Sequence, residues 1–155
     1  MSLKEPAALA EYLKKKKVLV LTGFLCEEVE LQGKKLGDYA ADIARRLGAP
    51  VAAGATTAVA MRQRGLPGTK KMFAAEVVNY LRYPWQDSVA PAKPELLVLM
   101  GYDRQSCGSL ASAARDTETV SLGNAYVPEA TFSFPDCSWH RWHLLLEELV
   151  QALGK

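Results

Sequence analysis

Short strand-like runs, of which 18–22, 50–53 and 96–100 are nearly all apolar, alternate along the chain with longer segments in which apolar residues recur at helical spacing. The short runs cover residues 18–22, 50–53, 96–100, 117–122 and 130–134, and Gly23, Gly54, Gly101 and Gly123 follow four of them. Runs with apolar residues at nearly every position are typical of strands that are buried on both faces of a parallel sheet. The pattern therefore predicts strands over these five segments.

The segments between the strands predict helices, because their apolar residues lie three and four positions apart. These segments are 5–16, 36–47, 56–62, 69–81, 105–114 and 139–153. Gly48 supplies a stop signal for the second helix, and Ser138 supplies an N-cap for the last one. Strands that alternate with helices predict an α/β fold, a three-layer (αβα) doubly wound parallel sheet with right-handed crossovers. With 155 residues, no internal repeat and no linker, the chain is read as a single domain over 1–155.

Ligands in such sheets bind beyond the carboxyl ends of the strands, near the point where the strand order reverses. The residues that the pattern places there are the candidate cofactor-binding residues Thr22, Gly23, Gly54, Thr56, Thr57, Gly101, Tyr102, Gly123 and Asn124. Glycine lets the backbone approach a ligand closely, but it is also an ordinary turn residue. Both interpretations stay open on the sequence alone.

The segment Gly54-Ala55-Thr56-Thr57 lies at a predicted strand-to-helix junction, where backbone N–H groups and hydroxyls favour a phosphate. The alternative is that Thr56 or Thr57 is only the N-cap of the helix. The chain contains neither a P-loop nor a G-x-G-x-x-G fingerprint. A dinucleotide would therefore have to bind without the Rossmann fingerprint.

The overall charge excludes a class of partners. Lys and Arg total 19 against 17 Asp and Glu, a formal net charge of +2, which gives no reason to expect nucleic acid. The run Lys14–Lys17 is read as the solvated end of a helix, and the apolar run after it is too short for a signal peptide or a membrane span. Three widely spaced cysteines fit a reducing compartment. We expect a cytoplasmic protein.

The side chains with reactive or metal-binding chemistry are few. His140 and His143 form H-x-x-H beside Trp139 and Trp142, which offers too few ligands for a metal. An aromatic patch at a subunit contact and a cover for the domain's own core are the alternatives. No C-x-x-C pair and no catalytic set of Ser or Cys with His is recognisable, so no catalytic residue is assigned. Residues 62–65, Arg-Gln-Arg-Gly, are read as a solvated corner or as a contact for an acidic partner.

Several segments together resemble a known family. They are Leu-Leu-Val-Leu-Met-Gly-Tyr at 96–102, Leu-Ala-Ser-Ala-Ala at 110–114, Val-Ser-Leu-Gly-Asn-Ala-Tyr at 120–126, Ala-Thr-Phe-Ser-Phe at 130–134 and the helix at 142–153, with 50–59 and 79–85 upstream. In order and spacing they resemble the epsilon subunit of the carbon monoxide dehydrogenase/acetyl-CoA decarbonylase–synthase complex. The resemblance covers the last two-thirds of the chain well and the first strand and helix loosely.

The resemblance implies a fold like the DHS-like NAD/FAD-binding domains of thiamine-dependent enzymes and sirtuins. It also implies an accessory, non-catalytic partner of the nickel–iron–sulfur alpha subunit in an alpha-2/epsilon-2 unit of one-carbon metabolism and methanogenesis. Its implied roles are to stabilise that subunit or to aid electron transfer to FAD, the one cofactor implied. Two rivals remain: a stand-alone sirtuin-like or flavin-binding protein, and a structural dimer module that self-associates through Trp85, Trp139 and Trp142.

Overall fold

The computed structural model describes residues 5–114 and 116–154. In chain order the elements are α1 (Pro6–Lys14), β1 (Val18–Thr22), α2 (Leu25–Glu28), β2 (Glu30–Leu31), β3 (Lys34–Lys35), α3 (Leu36–Leu47), β4 (Val51–Ala53), α4 (Ala55–Gln63), β5 (Lys70–Lys71), α5 (Ala74–Tyr80), β6 (Leu96–Met100), α6 (Arg104–Ala113), β7 (Glu118–Ser121), β8 (Phe132–Ser133) and α7 (Trp139–Leu153). Of the helices within these ranges, none combines the length and the apolar character that crossing a bilayer requires.

Six strands form one sheet in the order β5-β4-β1-β6-β7-β8, and every neighbouring pair is parallel. Numbered by their sequence within this sheet, the strands have the order 3-2-1-4-5-6, which is a doubly wound order that reverses between β1 and β6. The strands β2 and β3 form a separate antiparallel pair. The α/β fold with a parallel sheet is thus confirmed.

Helices cover both faces of the sheet, and the alternation of side chains along β1 decides which core each residue joins. Val18 and Val20 belong to one core, with residues of α1, α3 and α7. Leu19 and Leu21 belong to the other core, with residues of α5 and α6. All five residues of β1 are buried, as are all five of β6, which explains why both strands are apolar at nearly every position.

Two of the predicted helices have the bounds that the sequence predicts, and their end signals are in place. Helix α3 ends at Gly48, which has a φ of +63° and so occupies the left-handed region that favours glycine. Helix α7 begins after Ser138, whose side chain accepts a hydrogen bond of 3.1 Å from the backbone N–H of Arg141. Local chemistry therefore fixes these ends.

The predicted helix over 69–81 is wrong in its first third. Residues 70–71 form the edge strand β5, and the backbone N–H of Met72 bonds to the carbonyl of Ala53 at 2.8 Å. The helix starts only after Phe73, which is 63% exposed and does not face a core. Helix α2 and the β2–β3 pair were not predicted, because they are too short to show a hydrophobic period in the sequence.

Candidate functional site

A cavity of about 280 Å³ lies at the carboxyl ends of β6 and β7. It is bounded by the loop after β6, the loop after β7, helix α2 and the first turn of α7. A second hollow of about 260 Å³ lies at the opposite edge of the sheet, beside Lys14, Lys16 and Lys17. Because open α/β sheets bind ligands at the carboxyl edge, the first cavity is the candidate site.

Four of the sequence-predicted site residues line this cavity. Gly101 and Tyr102 come from the loop after β6, and Gly123 and Asn124 come from the loop after β7. Since β6 and β7 are neighbours in the sheet, the two loops leave their strands side by side. The structure therefore brings together the second half of the predicted set.

Thr22 and Gly23 lie at the point where strand order reverses, and there the loop after β1 packs directly against the loop after β6. A Cβ added to Gly23 would lie 2.4 Å from the carbonyl oxygen of Gly101. Gly101 has a φ of +86°, and a Cβ there would lie 2.6 Å from Cys26 Sγ. The N–H of Gly23 also bonds to the carbonyl of Met100 at 2.8 Å. These glycines allow the two loops to approach each other closely.

Gly54, Thr56 and Thr57 lie apart from the cavity, beyond β4. The N-cap of α4 is Gly54, so the N-cap alternative for either threonine is wrong. A Cβ on Gly54 would lie 2.8 Å from a ring carbon of Phe73, which shows that this ring covers the turn. Thr56 is exposed, whereas Thr57 is buried at 3% exposure.

Ser121, the last residue of β7, also lines the cavity and was not among the residues predicted from the sequence. It is fully buried, and apart from a weak interaction with the Cys107 thiol its Oγ has no hydrogen-bond partner among the described residues. Thr119 and Ser133 are also buried in this region, but their hydroxyls are paired: Thr119 Oγ1 accepts from the Thr131 N–H at 3.3 Å, and Ser133 Oγ accepts from the Val127 N–H at 3.0 Å. An unpaired buried hydroxyl costs about 1–3 kcal/mol, so it requires an explanation.

Cys107 and Tyr102 are neutral at pH 7 in this site. Burial raises the pKa of the Cys107 thiol to about 11, although a weak hydrogen-bonding interaction with the Ser121 hydroxyl opposes the rise. The thiol is a weak hydrogen-bond partner, and its sulfur lies 3.7 Å from the carbonyl oxygen of Tyr102. Burial also raises the pKa of the Tyr102 phenol, with smaller contributions from the neighbouring Cys26 and Cys107.

Two tryptophans of α7 form one wall of the cavity. Trp139 and Trp142 meet edge to face, with ring centroids 6.4 Å apart and planes at 70°. The indole N–H of Trp142 donates to the carbonyl of Leu122 at 2.9 Å, so this side chain offers the cavity an apolar surface. Trp142 is 4% exposed and belongs to the chain's own core, whereas Trp139 is 53% exposed.

The charged side chains of the cavity are tied to the protein. Asp103 caps α6, because its carboxylate accepts from the backbone N–H of Ser106 at 2.8 Å and from the Ser106 hydroxyl at 3.0 Å. These hydrogen bonds hold the pKa of Asp103 below its usual value. Arg104 Nε donates to the carbonyl of Tyr126 at 3.0 Å. One anionic and one cationic side chain thus line the cavity, and their charges cancel.

Arg64 holds helix α2, one wall of the cavity, in place. Its Nη2 donates to Glu27 of α2 at 3.0 Å, and its Nε donates to Asp38 of α3 at 2.7 Å. The guanidinium lies over Gly37, where an added Cβ would be 2.7 Å away. The side chain is only 14% exposed, so the interpretation of residues 62–65 as a solvated corner is wrong for Arg64.

The two histidines of α7 play different parts. His143 Nδ1 and the hydroxyl of the fully buried Tyr39 share a hydrogen bond of 2.6 Å, while His140 is exposed. Within residues 5–114 and 116–154, no three His, Cys, Asp or Glu side chains come together in a group that could hold a metal ion. All three cysteines are free thiols.

No family model matches this chain, and no curated protein matches it either.

Proposed function

We propose that this chain is an accessory subunit of the epsilon type, which binds the nickel–iron–sulfur alpha subunit of a carbon monoxide dehydrogenase/acetyl-CoA decarbonylase–synthase complex and stabilises it. The observation that carries the proposal is where the resembling segments lie. Residues 96–102 and 130–134 include all of β6 and β8, residues 120–126 include the second half of the intervening strand β7, and two of these segments reach the cavity. The resemblance therefore follows one continuous part of the molecule.

The finer fold assignment, a DHS-like NAD/FAD-binding domain, belongs to the same proposal. The strand order 3-2-1-4-5-6, with helices on both faces, supports it because this is the doubly wound order of dinucleotide-binding domains. Strand order alone does not establish an activity.

The cavity is small for a whole FAD molecule, and we propose a role for this subunit that does not depend on FAD. Its volume of about 280 Å³ is just below the range of about 300–1,000 Å³ that drug-sized ligands occupy, and FAD is larger than most such ligands. The reversal point between β1 and β6, where a dinucleotide would continue, is filled by the contact between Gly23 and Gly101. No step of the proposed function therefore runs through FAD, and the subunit acts by binding its partner.

The contact surface for the partner is the carboxyl edge of the sheet. Phe24 follows β1, Phe73 follows β5 and Trp139 borders the cavity, and these side chains are 64%, 63% and 53% exposed. Large exposed aromatic side chains on one edge are typical of protein interfaces. Since Trp142 is buried in the chain's own core, the three-tryptophan dimer contact is the weaker alternative.

The test is co-expression with the alpha subunit from the same source, followed by affinity purification and size-exclusion chromatography. We expect the two chains to form one stable complex, and we expect the double variant Phe24→Ala, Phe73→Ala to bind the alpha subunit more weakly. Tyr83→Ala is the matched control, because Tyr83 is 61% exposed but borders a hollow with Lys93 and Asp116, which precede β6 and β7 at the opposite edge. A chain that elutes free of the alpha subunit would overturn the proposal, and equal weakening by Tyr83→Ala would overturn the assignment of the surface.

A further inference from the structure

Two buried hydroxyls of the described residues, those of Thr22 and Ser121, lack a hydrogen bond of ordinary geometry, and of these two residues Ser121 is the one that lines the cavity. Its neighbours Thr119 and Ser133 show that this part of the sheet pairs its buried hydroxyls when a protein partner is within reach. The Ser121 hydroxyl has only a weak interaction with the Cys107 thiol, and Ser121 is one of the residues that line the cavity. A hydroxyl both donates and accepts, so it can pair with either kind of polar group.

The walls of the cavity determine which kind of ligand this would be. The indole rings of Trp139 and Trp142 and the apolar side chains of Leu25, Val29 and Leu36 are part of its lining. The N–H of Trp142 is already bonded to the protein. Because the two indole planes lie at 70° to each other, a planar ring would stack on the face of one indole, at small cost in conformational entropy.

The charge and the volume of the cavity narrow the class of ligand further. Asp103 and Arg104 cancel in net charge and are each hydrogen-bonded to the protein, so the site has no excess charge to recruit an ion. The volume of about 280 Å³ leaves room for one small ring system. The contact between Gly23 and Gly101 blocks an extension toward β1.

We infer that the cavity between β6 and β7 binds an uncharged, planar heteroaromatic compound of one or two rings, whose polar edge bonds to the Ser121 hydroxyl. This inference goes beyond the proposed accessory role and needs no partner subunit. A free ring compound and the ring end of a dinucleotide share this chemistry, and the structure favours the free compound.

Tryptophan fluorescence offers a direct assay, because two of the three tryptophans line the cavity. In a Trp85→Phe background the emission comes from Trp139 and Trp142 alone. We would titrate this protein with nicotinamide, adenine and quinoline, and with FAD and NAD as large counterparts, and repeat each titration by thermal shift. At least one small ring compound should change the emission saturably and raise the melting temperature, and the dinucleotides should bind at least tenfold more weakly.

Ser121→Ala separates a ligand contact from a structural role. We expect it to weaken binding by about tenfold while leaving the free protein at least as stable, since it removes a hydroxyl that lacks a hydrogen bond of ordinary geometry. Ser112→Ala, at an exposed position of α6 outside the cavity, should leave binding unchanged. Ser133→Ala should lower stability, because it removes a paired hydroxyl.

Three results would overturn the inference. The first is that none of the small ring compounds binds. The second is that Ser121→Ala destabilises the free protein as much as Ser133→Ala does, which would mean that the hydroxyl is paired within the protein or through water. The third is that FAD or NAD binds as tightly as the small compounds. None of these results bears on complex formation with the alpha subunit, so the two proposals fail separately.

Discussion

Replacing Arg64 with Met is expected to lower the free energy of unfolding by about 2 kcal/mol at pH 7. The substitution keeps much of the apolar stem but removes the guanidinium that bonds to Glu27 and Asp38. Both carboxylates then lose their cation, and helix α2 loses its tie to α3 and α4. Since Leu25 of α2 lines the cavity, the change should also loosen one wall of the candidate site.

The magnitude follows from the burial of the three side chains. Removing one partner of a fully buried ion pair costs about 3–5 kcal/mol, and an exposed pair contributes about 0–1 kcal/mol. The Arg64 side chain is 14% exposed, while those of Glu27 and Asp38 are 27% and 43% exposed. The cluster lies between the two limits, which gives about 2 kcal/mol, or a fall in melting temperature of roughly 4–8 °C for a domain of this size.

Urea denaturation of the two proteins, with Arg82→Met as the control at an exposed position, measures this difference. The pH dependence identifies its cause. In the folded protein, burial acts to raise the pKa of Asp38, but hydrogen bonds from Arg64 and the Lys35 N–H, together with the charge of Arg64, lower it overall. A lowered carboxyl pKa gives stability that is present above the unfolded value of about 3.9 and is lost as pH falls through the folded value.

The difference between wild type and Arg64→Met should therefore be full at pH 6–7 and should shrink below about pH 4, where the carboxyl groups become protonated. Arg64 itself stays protonated throughout, because the hydrogen bond to Glu27 raises its pKa further. An equal difference in the free energy of unfolding at pH 7 and pH 3 would refute the ion pairs as its cause and would assign the loss to packing. A loss no greater than that of Arg82→Met would refute it as well.

Three further outcomes are expected. Gly101→Ala should lower the melting temperature by several degrees, because the position has a φ of +86° and the new Cβ would meet Cys26 Sγ at 2.6 Å; calorimetry against Gly123→Ala, where an added Cβ meets nothing within 4 Å, tests this. Trp142→Phe should cost about 1–2 kcal/mol in urea denaturation, since it leaves a buried carbonyl without its 2.9 Å donor. A thiol reagent at pH 8 should modify the half-buried Cys137 of the native protein first. Cys26 and Cys107 are buried, and burial raises the pKa of Cys26 to about 12 and that of Cys107 to about 11, so rapid modification of either would contradict this burial.

The longer elements were predictable because local chemistry fixes them. Helix α3 has its stop at Gly48 and helix α7 has its cap at Ser138, and both signals act within a few residues of the chain. The strand β5 was not predictable, because it consists of two lysines whose strand conformation depends on pairing with β4. Phe73 fits the helical spacing of apolar residues and was therefore included in the predicted helix, although it is exposed and precedes α5.

The candidate site was predictable in its location but only in part in its residues. Strand ends followed by glycine identify the correct edge of the sheet, and Gly101 and Gly123 do border the cavity. Ser121 was missed because whether a buried hydroxyl is paired depends on the loop between β7 and β8, which brings Thr131 to Thr119 and leaves Ser121 without a hydrogen bond of ordinary geometry. A serine at the end of an otherwise buried strand was the one signal in the sequence.

The position of the cavity follows from how the two glycine turns at the reversal point are used. Gly23 and Gly101 pack against each other, and this contact closes the crevice in which a doubly wound sheet ordinarily binds its ligand. The remaining opening is one strand further along, where Trp139 and Trp142 of α7 supply the wall. Because α7 also buries its apolar face against the core, a ligand held by these tryptophans binds only the folded chain. Its occupancy must therefore raise the stability of the whole domain in proportion to the logarithm of its concentration once the site is saturated.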